Sequence, residues 1–346
     1  MVIKILTRGV AALVVAVLVW GIFLTRDGNL VTPTGQDTVI TSSGEFEAFP
    51  LPDYAAKFID DDYKSYLVDV APGIKVHVLE VGSGYPVYMQ SGMPMSGFLY
   101  RKVAEALPRE QFRIIMPTMV GLGFSSKIPA SEHQLKNHLS WMGALLEKLA
   151  LKEVIFVGHD WGGPIGAGAL ARSTTDMNGA IILNTALDAP REPRPIPTFL
   201  KIVRTPIVGE LMLEGFFSVF DQLPSVQKDP TSLPPEVLDI YARPLSDDGN
   251  GKAPLALARM SAFDPAHPDI PLVQATEDYV TSLDVPVELV WGMSDPVLGK
   301  RLADMKKIFP KANVVETQAG HFLQEEVPEE IASSIQRVHL QMQSQK

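Results

Sequence analysis

Apolar and polar positions alternate in two rhythms between about residues 63 and 340. "KSYLVDVAPGIKVHVLEVGSG" (64–84) has a two-residue period on both sides of Pro72-Gly73, which predicts a β-hairpin. Four short apolar runs follow: "PVYMQ" (86–90), "FRIIM" (112–116), "VIFVG" (154–158) and "AIILN" (180–184). Between them the period lengthens. Over 131–149 it places Leu135, Leu139, Met142, Leu145 and Leu149 on one helical stripe. Strands alternating with helices predict a mostly parallel sheet covered on both faces. From about 186 to 275 the alternation stops. That stretch is rich in Pro, with helical patterns near 208–221 and 234–243 and no strand pattern. The α/β rhythm resumes with "VPVELVW" (285–291), a helix near 299–309, "ANVVE" (312–316) and a last helix from about 325. A helical insertion inside a continuing α/β pattern reads as a lid.

The N-terminus stands apart from this rhythm. Lys4 and Arg8 precede an uncharged apolar run over residues 9–24, closed by Arg26 and Asp27. The run is long for a signal-peptide core, and no small-x-small cleavage site follows it. The expectation is therefore a retained signal anchor with its N-terminus inside the cytoplasm, a membrane partner, and the rest of the chain extracytoplasmic or periplasmic. Secretion after cleavage is the alternative. Residues 27–62, rich in Gly, Thr, Ser and Pro, read as a tether. The expected division is an anchor over 1–26, a linker over 27–62, a core from 63–185 and 276–346, and a cap over 186–275.

Composition narrows the chemistry. The 346 residues suffice for a substantial core, and the net charge of −10 argues against a nucleic-acid partner. With no cysteine, disulfides, thiolate catalysis and thiolate-bound metals are excluded. His133 and His138, five apart, do not share a helix face, so no metal site is expected, and nothing calls for a cofactor.

The chemistry concentrates where strand rhythm meets small residues. "VIFVGHDWGGPIGAGAL" sets Asp160 in a small-x-Asp-x-small turn between a strand and a small-residue helix. That sharp turn points its central residue out at the carboxyl edge of a sheet. The helix N-terminus and the Trp161 N–H would stabilise negative charge there. No Gly-x-Ser-x-Gly occurs, so the nucleophile in the slot is a carboxylate. A carboxylate nucleophile makes an ester with carbon, which needs a base to activate water and an acid to orient the base. The tail supplies both in order, Asp295 in "GMSDP" after one strand and His321 in "TQAGHF" after the next. The carboxyl ends of parallel strands are where such sheets build sites.

The motifs "GHDWGG", "WGMSDPVLG" and "AGHFLQEEVPEEI", with "SGMPMSGFLYRKV" and "LPPEVLDIYARPL", resemble the α/β-hydrolase superfamily over residues 63–340. Within it they resemble the haloalkane dehalogenases and their epoxide-hydrolase relatives. The resemblance implies an α/β-hydrolase fold with an eight-stranded sheet and a helical cap that shapes the substrate cavity. It implies Asp160 as nucleophile, His321 as base and Asp295 as its partner. It also implies an oxyanion hole from the backbone N–H groups of Trp161 and Met93, with the Trp161 indole as halide donor.

Three positions depart from the family pattern. The oxyanion motif, usually His-Gly-x-Pro, reads Ser91-Gly92-Met93-Pro94, so no Asn stands at 93 as a second halide donor. The lid contains no Trp. Of the two lid tyrosines that open epoxides, only Tyr241 offers itself as a cap acid, and Ala258 stands at the usual place of one of them. The leading expectation is a hydrolase cleaving carbon–halogen bonds in a small apolar substrate, with water as co-substrate. Epoxide hydrolysis and β-lactone opening use the same triad, and a non-catalytic binding protein on this fold is the reading from another class. Oligomeric state is not legible.

Overall fold

The computed structural model describes residues 2–345, without the side chains of residues 2–9, 11 and 12. Ten strands form one sheet: β1 (Thr38–Thr41), β2 (Gly44–Ala48), β3 (Lys64–Ala71), β4 (Ile74–Gly82), β5 (Tyr85–Gln90), β6 (Phe112–Pro117), β7 (Glu153–His159), β8 (Asp176–Leu183), β9 (Val287–Gly292) and β10 (Asn313–Thr317). Their order is β1-β2-β3-β4-β6-β5-β7-β8-β9-β10. From β6 to β10 every neighbour runs parallel, and β1 to β4 are antiparallel.

The parallel strands inside the sheet are buried on both faces, so their sequences are continuous apolar runs rather than alternations, whereas the edge strand β10 is half exposed. In β7, Val154, Ile155, Phe156 and Val157 are all fully buried. Phe156 meets Gly166 of the helix Gly162–Leu170, while Gly179 of β8 faces Val338 of the helix Pro328–Ser344 on the other side. The antiparallel hairpin of β3 and β4 turns at Pro72-Gly73, as its two-residue period predicts.

Three expectations change. Residues 27–62 are not a tether. β1 and β2 pair with each other and β2 continues onto β3, which brings the sheet to ten strands rather than eight. The helix expected over 208–221 is broken. A turn of π-helix over Leu211–Phe216 ends at the extended residue Phe217, and the chain restarts at Ser218, whose hydroxyl accepts the Phe220 N–H.

The third correction concerns the membrane. Val2–Leu24 is helical, yet among the described residues no helix is long and apolar enough to cross a membrane. The uncharged run over 9–24 rises about 24 Å at 1.5 Å per residue, short of a hydrocarbon layer of about 30 Å. The side chains of Lys4 and Arg8, on which the expected orientation rested, lie outside those described. The anchor and the extracytoplasmic location that followed from it are therefore withdrawn. The end of this helix packs on the cap instead. Trp20 meets Phe216 edge-on at 5.0 Å, and Gly21 lies against Ile207 and Leu211. Just beyond, Lys252 donates to the Leu24 carbonyl and Asn250 to that of Asn29, at 2.5 and 2.6 Å. The same stretch reaches the core. Asp27 accepts from the Ser131 N–H and hydroxyl, and Val31 bridges Lys127.

Candidate active site

β7 ends at His159, and the next residue, Asp160, has φ +50° before the helix Gly162–Leu170 begins. A non-glycine residue held in this left-handed region is strained and needs its surroundings to hold it. Two close approaches do so. A Cβ on Gly162 would lie 2.1 Å from the Gln90 carbonyl oxygen, and one on Gly92 would lie 2.2 Å from Asp160 Oδ1. Thr185 completes the grip by donating to the Asp160 carbonyl at 2.6 Å.

The Asp160 carboxylate has two differently dressed oxygens. Oδ1 accepts the Met93 N–H at 2.9 Å, and the Trp161 N–H also hydrogen-bonds the carboxylate. Oδ2 faces His321 Nε2 at 3.8 Å. Burial pushes the Asp160 carboxyl up, against the opposing pull of His321 and the two backbone N–H groups.

His321, in the loop after β10, bonds Asp295 Oδ2 through Nδ1 at 2.9 Å. Asp295, in the loop after β9, is acceptor-only when ionised, so Nδ1 carries the hydrogen and Nε2 presents a lone pair towards Asp160. The same Asp295 oxygen accepts from Asn184 Nδ2 at 2.7 Å, and its other oxygen accepts the Val297 N–H at 2.7 Å. Burial works against the Asp295 charge, but His321, Asn184 and Val297 outweigh it and hold the carboxyl below its usual range. Burial also opposes the His321 charge, yet Asp295 and Asp160 together hold its pKa above the ordinary value. His159 is fully buried, is pushed down to about 3 by that burial, and donates from Nε2 to the His321 carbonyl at 2.8 Å. The structure thus brings Asp160, His321, Asp295, Trp161 and Met93 together.

Tyr241 is not among them. Its hydroxyl is fully buried beside Arg101 at 3.4 Å and Glu325 at 3.5 Å, and these two form an ion pair of 2.5 Å. The ion pair explains the position: a buried Arg–Glu pair draws polar neighbours that satisfy its remaining valences. Ala258 lies in a small apolar cluster with Val203 and Leu255, against which Met93 packs. That cluster covers the Met93 side chain with aliphatic groups. The Trp161 indole is half-buried. Thr118, in the loop after β6, is buried and accepts the Gly97 N–H at 3.0 Å.

Sequence reasoning missed Asn184. It closes the strand-like run "AIILN", where an Asn reads as a turn former. Its amide donates to Asp295 and to the Gly292 carbonyl and accepts the Gly292 N–H, joining β8 to β9 at the base's partner. A cleft of about 530 Å³ opens elsewhere, between the end of the N-terminal helix and the cap helix Ala253–Met260. Arg26, His133, Glu210, Lys252 and Arg259 line it, and none of the triad does.

A strained acid at a strand-to-helix elbow, two backbone donors beside it, and a His–Asp pair from the next two strand ends define the α/β-hydrolase class of site. The profile of the α/β-hydrolase fold matches residues 85–328, and the chain belongs to that family. It is a hydrolase of haloalkane dehalogenase-like build. It is 31% identical over 274 residues to a cis-3-alkyl-4-alkyloxetan-2-one decarboxylase from Shewanella oneidensis, covering 76% of this chain and 84% of that protein. It is 27% identical over 265 residues to haloalkane dehalogenase 2 from Mycobacterium bovis, covering 75% and 90%. The crystal structure of haloalkane dehalogenase DbeA from Bradyrhizobium elkani shares the fold, with a TM-score of 0.73 at 20% identity over 82% of this chain and 100% of that one.

Proposed function

We propose that the protein hydrolyses a carbon–halogen bond in a small apolar substrate through an ester on Asp160. The observation that carries this reading is the asymmetric carboxylate, with Oδ1 held by the Met93 N–H and Oδ2 turned to the base. In the first step an Asp160 oxygen displaces halide from a saturated carbon, forming an alkyl ester, while the Trp161 indole donates to the departing ion. In the second, water adds to the ester carbonyl carbon as His321 Nε2 takes its proton. The developing oxyanion rests on the Met93 and Trp161 N–H groups, the first at 2.9 Å, a length suited to such a hole. Collapse expels the alkoxide, which takes the proton from His321 and leaves as alcohol. The balance is R–X plus water to R–OH, X⁻ and H⁺. On this reading 63–185 and 276–346 form the catalytic core and 186–275 the cap, whose aliphatic roof suits an apolar substrate.

A second reading, β-lactone opening by the same Asp160, is favoured by the poverty of halide donors. Met93 offers a thioether where an amide would donate, and the 31%-identical relative is an oxetanone decarboxylase by name. A lactone's leaving carboxylate stays tethered to the substrate and needs less capture. Epoxide opening lacks support, because Tyr241 is committed to Arg101 and Glu325.

A panel of bromoalkanes, chloroalkanes, epoxides and cis-β-lactones, run with wild type and Asp160→Ala, tests the reading. Halide release by wild type should fall by about 10⁴-fold or more in Asp160→Ala, as for loss of a nucleophile acting in a triad. Undiminished release by the variant would overturn the mechanism. Lactone conversion without halide release from any haloalkane would transfer it to the second reading.

A further inference from the structure

The loop that carries His321 is held by the cap as well as by the sheet. The His321 N–H donates to the Val226 carbonyl at 2.9 Å. One residue on, the buried Gln227 side chain engages both backbone groups of Phe322. Its Oε1 accepts the Phe322 N–H at 2.8 Å, and its Nε2 donates to the Phe322 carbonyl at 3.1 Å and to Ser232 Oγ at 3.1 Å. From the other side, Glu326 accepts the Gly320 N–H at 2.5 Å and the Asp229 N–H at 2.6 Å. The two segments lie so close that a Cβ on Gly320 would sit 2.4 Å from Gln227 Cα.

We propose that Gln227 is a positioning residue for His321, making cap segment 226–229 part of the machinery that hydrolyses the ester. This rests on the reading of Asp160 as nucleophile and His321 as base. A carboxamide is suited to the task because it accepts and donates side by side, as a peptide unit does in a sheet. Glutamate could accept but not donate, and methionine could do neither at the same length. Gln227 touches no reacting atom in this arrangement; it acts through the backbone of the residue next to the base. Asp160 needs no proton removed to displace a leaving group, whereas water needs His321 to attack the ester. Loosening Gln227 therefore slows the second half-reaction and spares the first.

The test is single-turnover kinetics with 1-bromohexane, with a cis-β-lactone as the probe if wild type shows no bromide burst. Bromide release, alcohol release and the ester on Asp160, seen by intact mass, are followed in one sample. Gln227→Met should leave the alkylation rate within about twofold and slow ester hydrolysis about tenfold or more, the scale expected from misplacing a catalytic group. The ester should accumulate, and Gln227→Glu, which keeps the accepting bond, should fall between. Both rates come from the same folded molecules, so a lower folded fraction changes amplitudes and not the ratio. If Gln227→Met does not fold, Gln227→Glu carries the measurement alone. Half-reactions that both stay unchanged, or that slow by the same factor, overturn the positioning role. His321→Phe separates this from the parent reading: an adduct there with wild-type hydrolysis in Gln227→Met sinks Gln227 only, whereas no adduct there sinks the Asp160–His321 chemistry.

Discussion

The two sides of Asp160 are built by different rules. On the base side hydrogen bonds run from one residue to the next. His321 binds Asp295, Asp295 binds Asn184 and Val297, and Asn184 binds both backbone groups of Gly292. On the other side Met93, whose backbone N–H meets Asp160, packs its side chain on Val203, Leu255 and Ala258, which offer only carbon. A hydrogen-bonded network in a buried site admits one geometry, because each unmade bond costs about 1–3 kcal/mol. An aliphatic wall asks only for volume, and similar side chains exchange there at small cost. The chemistry of water attack is thus specified far more tightly than the identity of the leaving group.

The sharpest way to break the comparison is on the base side. His321→Phe should stop ester hydrolysis while leaving alkylation intact, with a loss of about 10²–10⁴-fold in turnover, the range of general-base catalysis. Intact-mass spectrometry should then find the substrate's alkyl group on Asp160. Turnover near wild type without an adduct would show that the network does not serve a base.

The cap side should respond in the opposite direction, by gain. Met93→Asn adds a donor beside the departing halide. A hydrogen bond to a charged group is worth about 1.5–3 kcal/mol, so chloride release should rise by about tenfold or more. Bromide, the better leaving group, should gain less. Chloride turnover that stays flat, with the variant folded, would mean that the halide does not leave past residue 93.

Titration offers a smaller effect. His321 must be neutral to take a proton from water, and Asp295 and Asp160 hold its proton more tightly than usual. In the free enzyme, where Asp160 is ionised, the His321 imidazole should therefore titrate with a midpoint above 6.5, read by NMR. A free-enzyme midpoint at or under that value contradicts the coupling of His321 to the two carboxylates. Smallest of all, Tyr241→Phe removes a hydroxyl with two long contacts and should change turnover of halides, lactones or epoxides by less than about threefold, since one weak hydrogen bond is worth about 0.5–1.5 kcal/mol. A loss confined to epoxides would restore Tyr241 as a ring-opening acid.

What the sequence revealed follows from how local each signal is. Strands β5 to β9 are legible because burial on both faces writes them as apolar runs, and Asp160, Asp295 and His321 are legible because each follows a strand. β1 and β2 were misread as tether because edge strands are half exposed, and their Gly, Thr and Ser spell flexibility until β3 supplies a partner. The apolar run over 9–24 has the right composition for a membrane and the wrong length. Asn184 and Gln227 act through contacts 111 and 95 residues away, and Tyr241 is captured by Arg101 at a separation of 140. No pattern along the chain announces such pairings.

One short segment ties the cap to the core. Residues 24–31 are fastened to Lys252 and Asn250 above and to Ser131 and Lys127 below. For the cap to swing away from this side of the core, either the upper or the lower set of these bonds has to break. At about 1 kcal/mol each, a few such bonds set a threshold between a seated and a lifted cap. Cap and core are thus joined through chain that lies outside both, and the joint precedes, in order of synthesis, everything it holds together.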